Sequence, residues 1–186
     1  NAIADNNLAT ALLARGAGVE ALPHILRAAQ LRPEDEEMAY NAGNVLASLR
    51  RDDEARAWFE RAIGLNPRFA LARTNLGALL IRQGRFGEAI AQLETAASLA
   101  PDNAVTRLNL AVALARAGRT GAAAARLDEA IQLSPDSLEM RTKAVQAFWT
   151  MGLRERALRE LEWVRGVNGH LADELAKWMD SQKKVH

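Results

Sequence analysis

The sequence contains no cysteine, which excludes disulfide bonds and thiolate metal sites within this chain. It also has no marked excess of either charge. The 24 Lys and Arg residues against 23 Asp and Glu residues leave a net charge of +1, whereas nucleic-acid binders usually carry a strong basic excess. No apolar run approaches the roughly 18 residues that span a bilayer. We therefore expect no nucleic-acid partner and no membrane insertion by this chain.

The sequence also lacks the patterns of common catalytic, metal and cofactor sites. The segment Gly118–Gly121 has no lysine and no preceding strand, so it predicts a turn rather than a phosphate-binding loop. His24, His170 and His186 are far apart and do not have metal-ligand spacing. No nucleophile is accompanied by a base and an orienting group. We predict a chain that is not an enzyme and holds no cofactor or metal.

The first residues, Asn1 and Ala2, are not preceded by a methionine and look like the remnant of a cleaved expression tag. We expect that an upstream segment was removed, such as a signal peptide, a membrane anchor or another domain. This favours an exported, periplasmic or membrane-tethered protein slightly over a cytoplasmic one, and it does not fix the compartment.

Against these absences stands a strong period of 34 residues. It is marked first by prolines, at Pro33, Pro67, Pro101 and Pro135. Small residues repeat with the same spacing at Ala9, Gly43, Gly77 and Ala111, and again at Ala21, Ala55, Ala89, Ala123 and Ala157. A large apolar column contains Ile25, Phe59, Leu93, Leu127 and Leu161. A glycine column contains Gly16, Gly84, Gly118 and Gly152, with Arg50 as its exception.

Each period predicts two helices. Apolar and small residues recur three and four positions apart, as on one face of a helix. The glycine in the middle suits the left-handed position that ends a helix, and the proline cannot continue the second helix. One such pair cannot bury its apolar face alone, so successive pairs must stack.

The sequence resembles the tetratricopeptide repeat family over nearly its whole length. The third period carries the likeness best, with Asn75-Leu76-Gly77, Gly84, Glu88-Ala89-Ile90 and Pro101. The resemblance implies an all-α, right-handed superhelical solenoid of five helix-turn-helix pairs in a single domain over residues 1–186. The expected repeats are residues 2–35, 36–69, 70–103, 104–137 and 138–171, followed by a capping helix at 172–182.

The first and last repeats depart from the pattern. Pro23 lies where the second helix of the first repeat should start, so we expect that helix to begin near Ala21, with the proline in its first turn. In the fifth repeat Gly169 replaces the proline. We expect residues 183–186, beyond the capping helix, to be frayed.

In this family the first helices of successive pairs line a concave groove, so the resemblance implies a peptide-binding site there. Its candidate residues are Asn7, Tyr40, Asn41, Asn44, Asn75, Arg82, Asn109, Arg116 and Lys143. Four of the asparagines recur once per repeat. An amide both donates and accepts, so this ladder can hold an extended peptide backbone. The alternative is that the asparagines form bonds inside the protein and shape the superhelix.

The cations Arg82, Arg116 and Lys143 can attract an acidic segment or a C-terminal carboxylate, or they can form an ordinary solvated face. The family's two-carboxylate clamp for chaperone tails needs lysines and arginines around its asparagines. Asn41 matches that clamp, but the other places are occupied by Asn6, Thr10, Leu71 and Asn75, so we predict no such clamp.

Three tryptophans bear on further interfaces. We expect Trp149, on the groove side, to be covered by the final helix. Trp58 and Trp163 fall on second helices and form a possible second interface if they are exposed.

The sequence thus favours a protein-protein interaction module, a scaffold or adaptor that binds a peptide or protein of unknown identity. The alternatives are a self-assembling structural module, which makes a homo-oligomer possible, and a segment that presents substrates within a larger enzyme or an envelope or secretion assembly.

Overall fold

The computed structural model describes residues 1–182, and residues 183–186, which we expected to be frayed, lie outside the described part. The described residues form eleven α-helices and no strand. The chain divides into two compact units, Asn1–Pro101 and a second that begins at Asp102. We call them the N-terminal unit and the C-terminal unit. No helix among residues 1–182 is long and apolar enough to cross a bilayer.

The N-terminal unit contains three helix pairs. Their helices are α1 (Ala2–Ala14) and α2 (Gly18–Leu31), α3 (Glu36–Ser48) and α4 (Asp52–Leu65), and α5 (Ala70–Arg82) and α6 (Phe86–Leu99). The C-terminal unit contains two pairs and a final helix. Its helices are α7 (Ala104–Arg116) and α8 (Thr120–Leu133), α9 (Leu138–Thr150) and α10 (Arg154–Val167), and α11 (Gly169–Gln182).

The turn within each pair has the geometry that the glycine column predicted. The four glycines have φ between 75° and 77°, and Arg50 takes the same left-handed conformation with φ of 60°. In α3, the amide of Arg51 donates to the carbonyl of Leu46 at 3.0 Å, which closes the helix end. An arginine at this position is strained because its Cβ crowds the backbone. The hydrogen bond that closes this turn therefore holds Arg50 in the left-handed conformation.

The second helices of the first four repeats end two residues before the four prolines of the 34-residue period, in line with the predicted stop. Several first helices begin at a side-chain cap. The carboxylate of Asp35 accepts hydrogen bonds from the amides of Glu37 and Met38, each at 3.1 Å. Asn103 caps α7 in the same way by accepting from Thr106 at 3.0 Å. These caps satisfy amides that have no partner within the first helical turn.

The prediction for the second helix of the first repeat is wrong. Helix α2 begins at Gly18 rather than near Ala21, so Pro23 lies inside the helix and not in its first turn. The start is fixed upstream, because the amide of Ala17 donates to Leu12 at 2.9 Å in the glycine turn. Since Pro23 has no N–H, one hydrogen bond of the helical ladder is missing there.

Close packing within the pairs depends on the small residues. A Cβ added at Gly43 would lie 2.5 Å from a ring carbon of Phe59, and one added at Gly77 would lie 2.5 Å from Cγ of Leu93. Phe59 and Leu93 are fully buried. The absence of a side chain on the first helix thus makes room for the large residue on the second.

Helix α11 covers the end of the C-terminal unit. Ala172, Leu175 and Met179 form its buried stripe and belong to the same apolar cluster as Trp149. The helix starts at Gly169, three residues before the predicted residue 172, because the side chain of Asn168 accepts a hydrogen bond from the amide of Leu171 at 3.0 Å. This cap turns the expected break after α10 into a helix start.

Candidate functional site

In the N-terminal unit, two asparagines of the predicted ladder, Asn41 and Asn75, are bonded within the protein. The amide nitrogen of Asn41 donates to Oδ1 of Asn6 at 2.9 Å. The amide nitrogen of Asn75 donates to Oδ1 of Asn44 at 2.7 Å and to the hydroxyl of Tyr40 at 3.1 Å. These bonds join the first helices of successive pairs. One of the two amide hydrogens of Asn41 and both amide hydrogens of Asn75 are therefore engaged within the protein.

The other two asparagines of the column differ. Asn7 is exposed, and Asn109 is half-buried on α7. Neither side chain makes a hydrogen bond to any residue between 1 and 182. The amide of Asn109 is therefore available to both a donor and an acceptor of a ligand.

The predicted cation Arg82 is paired inside the N-terminal unit. Its guanidinium lies 2.7 Å from a carboxylate oxygen of Asp52, the first residue of α4. This hydrogen bond lowers the pKa of Asp52, burial opposes the shift in part, and the charges of Arg82 and Arg50 lower the pKa further. Arg82 thus neutralises a carboxylate of the protein itself, which reduces its attraction for an acidic ligand.

The C-terminal unit contains an open cleft between α7 and α9 with a volume of about 560 Å³. Three of the predicted site residues, Asn109, Arg116 and Lys143, line it together. The remaining lining residues are Leu108, Val112, Ala115, Thr120, Gln146, Ala147, Thr150 and Met151. The cleft thus combines an apolar surface with amide, hydroxyl and cationic groups, a mixture that is common in binding sites for organic ligands.

The two cations of the cleft are held differently. Arg116 is exposed and makes no ion pair with residues 1–182. The ammonium of Lys143 lies 2.6 Å from a carboxylate oxygen of Glu139, one helical turn earlier on α9. The hydrogen bond from Lys143 lowers the pKa of Glu139, and the charge of Lys143 acts in the same direction. Both side chains of this pair are exposed.

Sequence reasoning missed part of the cleft. Thr120, Ala147, Thr150 and Met151 were not among the predicted groove residues. Met151 lies just beyond the end of α9 and Thr120 at the start of α8, positions that the spacing of first helices does not reveal. The signal that was available is the predicted residue Lys143, since Ala147 lies one helical turn further on the same helix and therefore on the same face.

The tryptophans are covered to different degrees. Trp149 is buried at 6% exposure, as expected, in an apolar cluster that contains residues of α11. Trp58 and Trp163 are half-buried. The guanidinium carbon of Arg61 lies 5.1 Å from the ring centroid of Trp58, and that of Arg141 lies 4.4 Å from the ring centroid of Trp163. These arginines shield part of each ring.

Within the described part of the chain, no group of three or more His, Cys, Asp or Glu side chains is placed to hold a metal ion. His24, which has no metal-ligand spacing in the sequence, is half-buried, and its Nδ1 lies 3.5 Å from the carboxylate of Asp5.

Comparisons with known proteins agree on the fold. The sequence profile described as Tetratricopeptide repeat matches residues 6–70 and 74–137, more than half of the chain. Among curated protein sequences, none matches significantly.

Three solved structures illustrate the structural similarity. The first is TTC0263, a thermophilic tetratricopeptide repeat protein of Thermus thermophilus, with 22% identity, a TM-score of 0.79 and coverage of 95% of this chain and 98% of that chain. The second is MamA 41-end from Desulfovibrio magneticus RS-1, with 22% identity, a TM-score of 0.77 and coverage of 91% and 96%. The third is YrrB, with 23% identity, a TM-score of 0.69 and coverage of 95% and 92%. The all-α repeat fold expected from the sequence is confirmed.

Proposed function

We propose that this chain, which belongs to the tetratricopeptide repeat family, is a protein-interaction module that binds a peptide segment in the cleft between α7 and α9. In this proposal the chain acts as an adaptor and carries out no chemistry itself. The observation that carries it is the cleft of about 560 Å³ in which Asn109 has no bonding partner among residues 1–182.

The cleft suits a peptide for two reasons. Leu108, Val112 and Ala147 give it apolar surface that can cover a side chain of the ligand. Asn109 and Gln146 add amides that can donate to and accept from a peptide backbone. At the equivalent positions, Asn41 already donates one amide hydrogen within the protein and Asn75 donates both, so the C-terminal unit supports peptide binding better than these positions of the N-terminal unit.

A similar protein gives indirect support. YrrB is described as a tetratricopeptide repeat protein with an unusual peptide-binding site. At 23% identity this likeness extends to the fold alone. It makes peptide binding a reasonable use of the fold without assigning residues.

The test is selection of a random peptide library on the immobilised protein, followed by titration calorimetry with a selected peptide. We compare the wild type with Asn109→Ala and with the matched control Asn41→Ala, which removes an asparagine that is bonded within the protein. We expect Asn109→Ala to weaken binding by about fivefold, the value of one ordinary hydrogen bond, and Asn41→Ala to leave it unchanged. Equal affinity in all three proteins would remove Asn109 from the site.

Self-assembly is a second candidate, and an observation on α1 favours it. Leu8 is 45% exposed, whereas Ala42 and Leu76, which follow it at intervals of 34 residues, are 0% and 3% exposed. An apolar position that is buried in later repeats is therefore open to solvent in the first. A second copy of the chain is the occupant that this alternative requires.

Sedimentation velocity over a range of protein concentrations tests the alternative. We expect association that Leu8→Glu abolishes, because a charge cannot be buried unpaired in an apolar contact. The control is Leu158→Glu on α10, where the leucine is 47% exposed. A monomer at all concentrations, or an oligomer that Leu8→Glu leaves intact, rules out this face.

A further inference from the structure

We propose that the cleft between α7 and α9 selects acidic segments, and that Glu139 is an internal competitor that occupies Lys143 until a ligand carboxylate takes its place. This inference rests on the proposed function and adds to it the chemical class of the ligand and a residue that sets its affinity.

The first support is the position of Lys143 between two hollows. The large cleft contains Asn109, Arg116 and Gln146. A smaller hollow of about 110 Å³ adjoins it and contains Glu139. Lys143 and Leu108 line both. The ammonium of Lys143 is held by Glu139 at 2.6 Å, and its long stem allows the ammonium to reach to either side.

The second support is the distribution of charge. The large cleft is lined by two cations, Arg116 and Lys143, and by no carboxylate. The smaller hollow has Glu139 as its one acidic lining residue. A ligand carboxylate in the large cleft therefore meets Arg116, which has no ion pair within residues 1–182. It competes with a single protein carboxylate for Lys143.

Replacement of Glu139 by a ligand carboxylate at Lys143 costs the protein little free energy. Both members of the Lys143–Glu139 pair are exposed, and pairs of this kind are weak. Glu139 is the second residue of α9, where the partial positive charge of the helix N-terminus favours a carboxylate. Glu139 therefore stays ionised and solvated when Lys143 leaves it. Its remaining charge repels an acidic ligand, so Glu139 lowers the affinity in two ways.

The experiment uses a random dodecapeptide library and three variants of the whole chain. Peptides selected on the wild type are synthesised in two forms, one as selected and one with Asp and Glu replaced by Asn and Gln. Each form is titrated against the wild type, Glu139→Gln and Lys143→Gln. The matched control is Glu162→Gln, which breaks a comparable exposed pair with Arg165 on α10 at 2.5 Å, away from the cleft.

We expect the selected peptides to be rich in Asp and Glu and their neutral forms to bind more weakly. Glu139→Gln should tighten binding of the acidic form by about two- to fivefold at low salt, as expected for one exposed ion pair and one repulsion. It should leave the neutral form unchanged. Lys143→Gln should weaken the acidic form, and Glu162→Gln should change neither.

The outcomes separate the two proposals. Peptides that bind in the cleft without an acidic preference, and whose affinity Glu139→Gln does not change, overturn the competitor role and leave the proposed function intact. An equal gain from Glu139→Gln and Glu162→Gln also overturns it, because net charge alone then explains the effect. A library that yields no binder contradicts the proposed function and this inference together.

Discussion

Replacement of Gly43 by alanine tests how the helix pairs pack. The added Cβ would lie 2.5 Å and 2.6 Å from two ring carbons of Phe59. That ring is buried at 1% exposure, and its centroid lies 6.0 Å from that of Tyr40. Neither helix α3 nor the ring can therefore move without disturbing its neighbours.

The magnitude follows from two opposing terms. Overpacking a well-filled interior costs about 1–3 kcal/mol, and here the cost should be near the upper end because the contact is far inside normal van der Waals distance. Alanine is favoured over glycine inside a helix by about 0.8–1 kcal/mol. The net expectation is that Gly43→Ala lowers the free energy of unfolding by about 1–2 kcal/mol.

The matched control is Gly64→Ala on α4, the partner helix. A Cβ at Gly64 meets no heavy atom within 4 Å. Only the helix-propensity term acts there, so this variant should gain up to about 1 kcal/mol. Two substitutions that are chemically identical are thus expected to change stability in opposite directions.

Urea unfolding followed by circular dichroism measures both variants. We also expect Gly43→Ala to become less harmful in combination with Phe59→Leu, since the smaller side chain makes room for the new methyl group. The C-terminal unit already contains the pair Ala111 and Leu127 at the equivalent positions, and both residues are buried. Stabilisation by Gly43→Ala, or a penalty that Phe59→Leu does not reduce, would refute the packing argument.

Substitutions at three further positions give distinct expectations. Arg50→Gly should be more stable than Arg50→Ala by about 1 kcal/mol in urea unfolding, because glycine alone relieves the positive φ and both remove the same charge. Pro23→Ala should raise stability by about 1–3 kcal/mol in the same assay, since it restores a helical donor. Asp52→Asn should lower stability at neutral pH, because the lowered pKa of Asp52 marks a contribution from its bond with Arg82 that is present above the unfolded pKa. That contribution is lost as the pH falls through the folded pKa, so thermal melts of Asp52→Asn and wild type should converge in acid; a constant gap would argue against the ion pair.

Much of the fold was predictable because the residues that start and end the helices recur in several repeats of the sequence. The glycine column predicted left-handed turns at four positions, and the structure adds a fifth at Arg50, which the sequence marked only as the exception to the column. Pro23 shows the limit of this reasoning. We predicted a start of α2 near Ala21 because a proline is tolerated in the first turn of a helix. The glycine turn upstream instead fixes the start at Gly18, so Pro23 lies inside the helix.

The candidate site was less predictable, since a column of identical residues does not have identical surroundings. Asn75 and Asn109 occupy the same repeat position, yet the amide of Asn75 is bonded to Asn44 and Tyr40 from the preceding repeat. Such bonds depend on side chains more than 30 residues away, and the repeat period says nothing about which residues stand there. The same is true of Arg82, whose pairing with Asp52 spans 30 residues.

The difference between these asparagines bears directly on function. A peptide that uses Asn75 must first compete with bonds of 2.7 Å and 3.1 Å that the protein already makes, so its net gain is small. A peptide that uses Asn109 displaces only water and gains the full exchange. A uniform ladder would bind extended chains along its whole length. In the proposed mode, the available amide of Asn109 beside Arg116 and Lys143 favours a short segment held at one place.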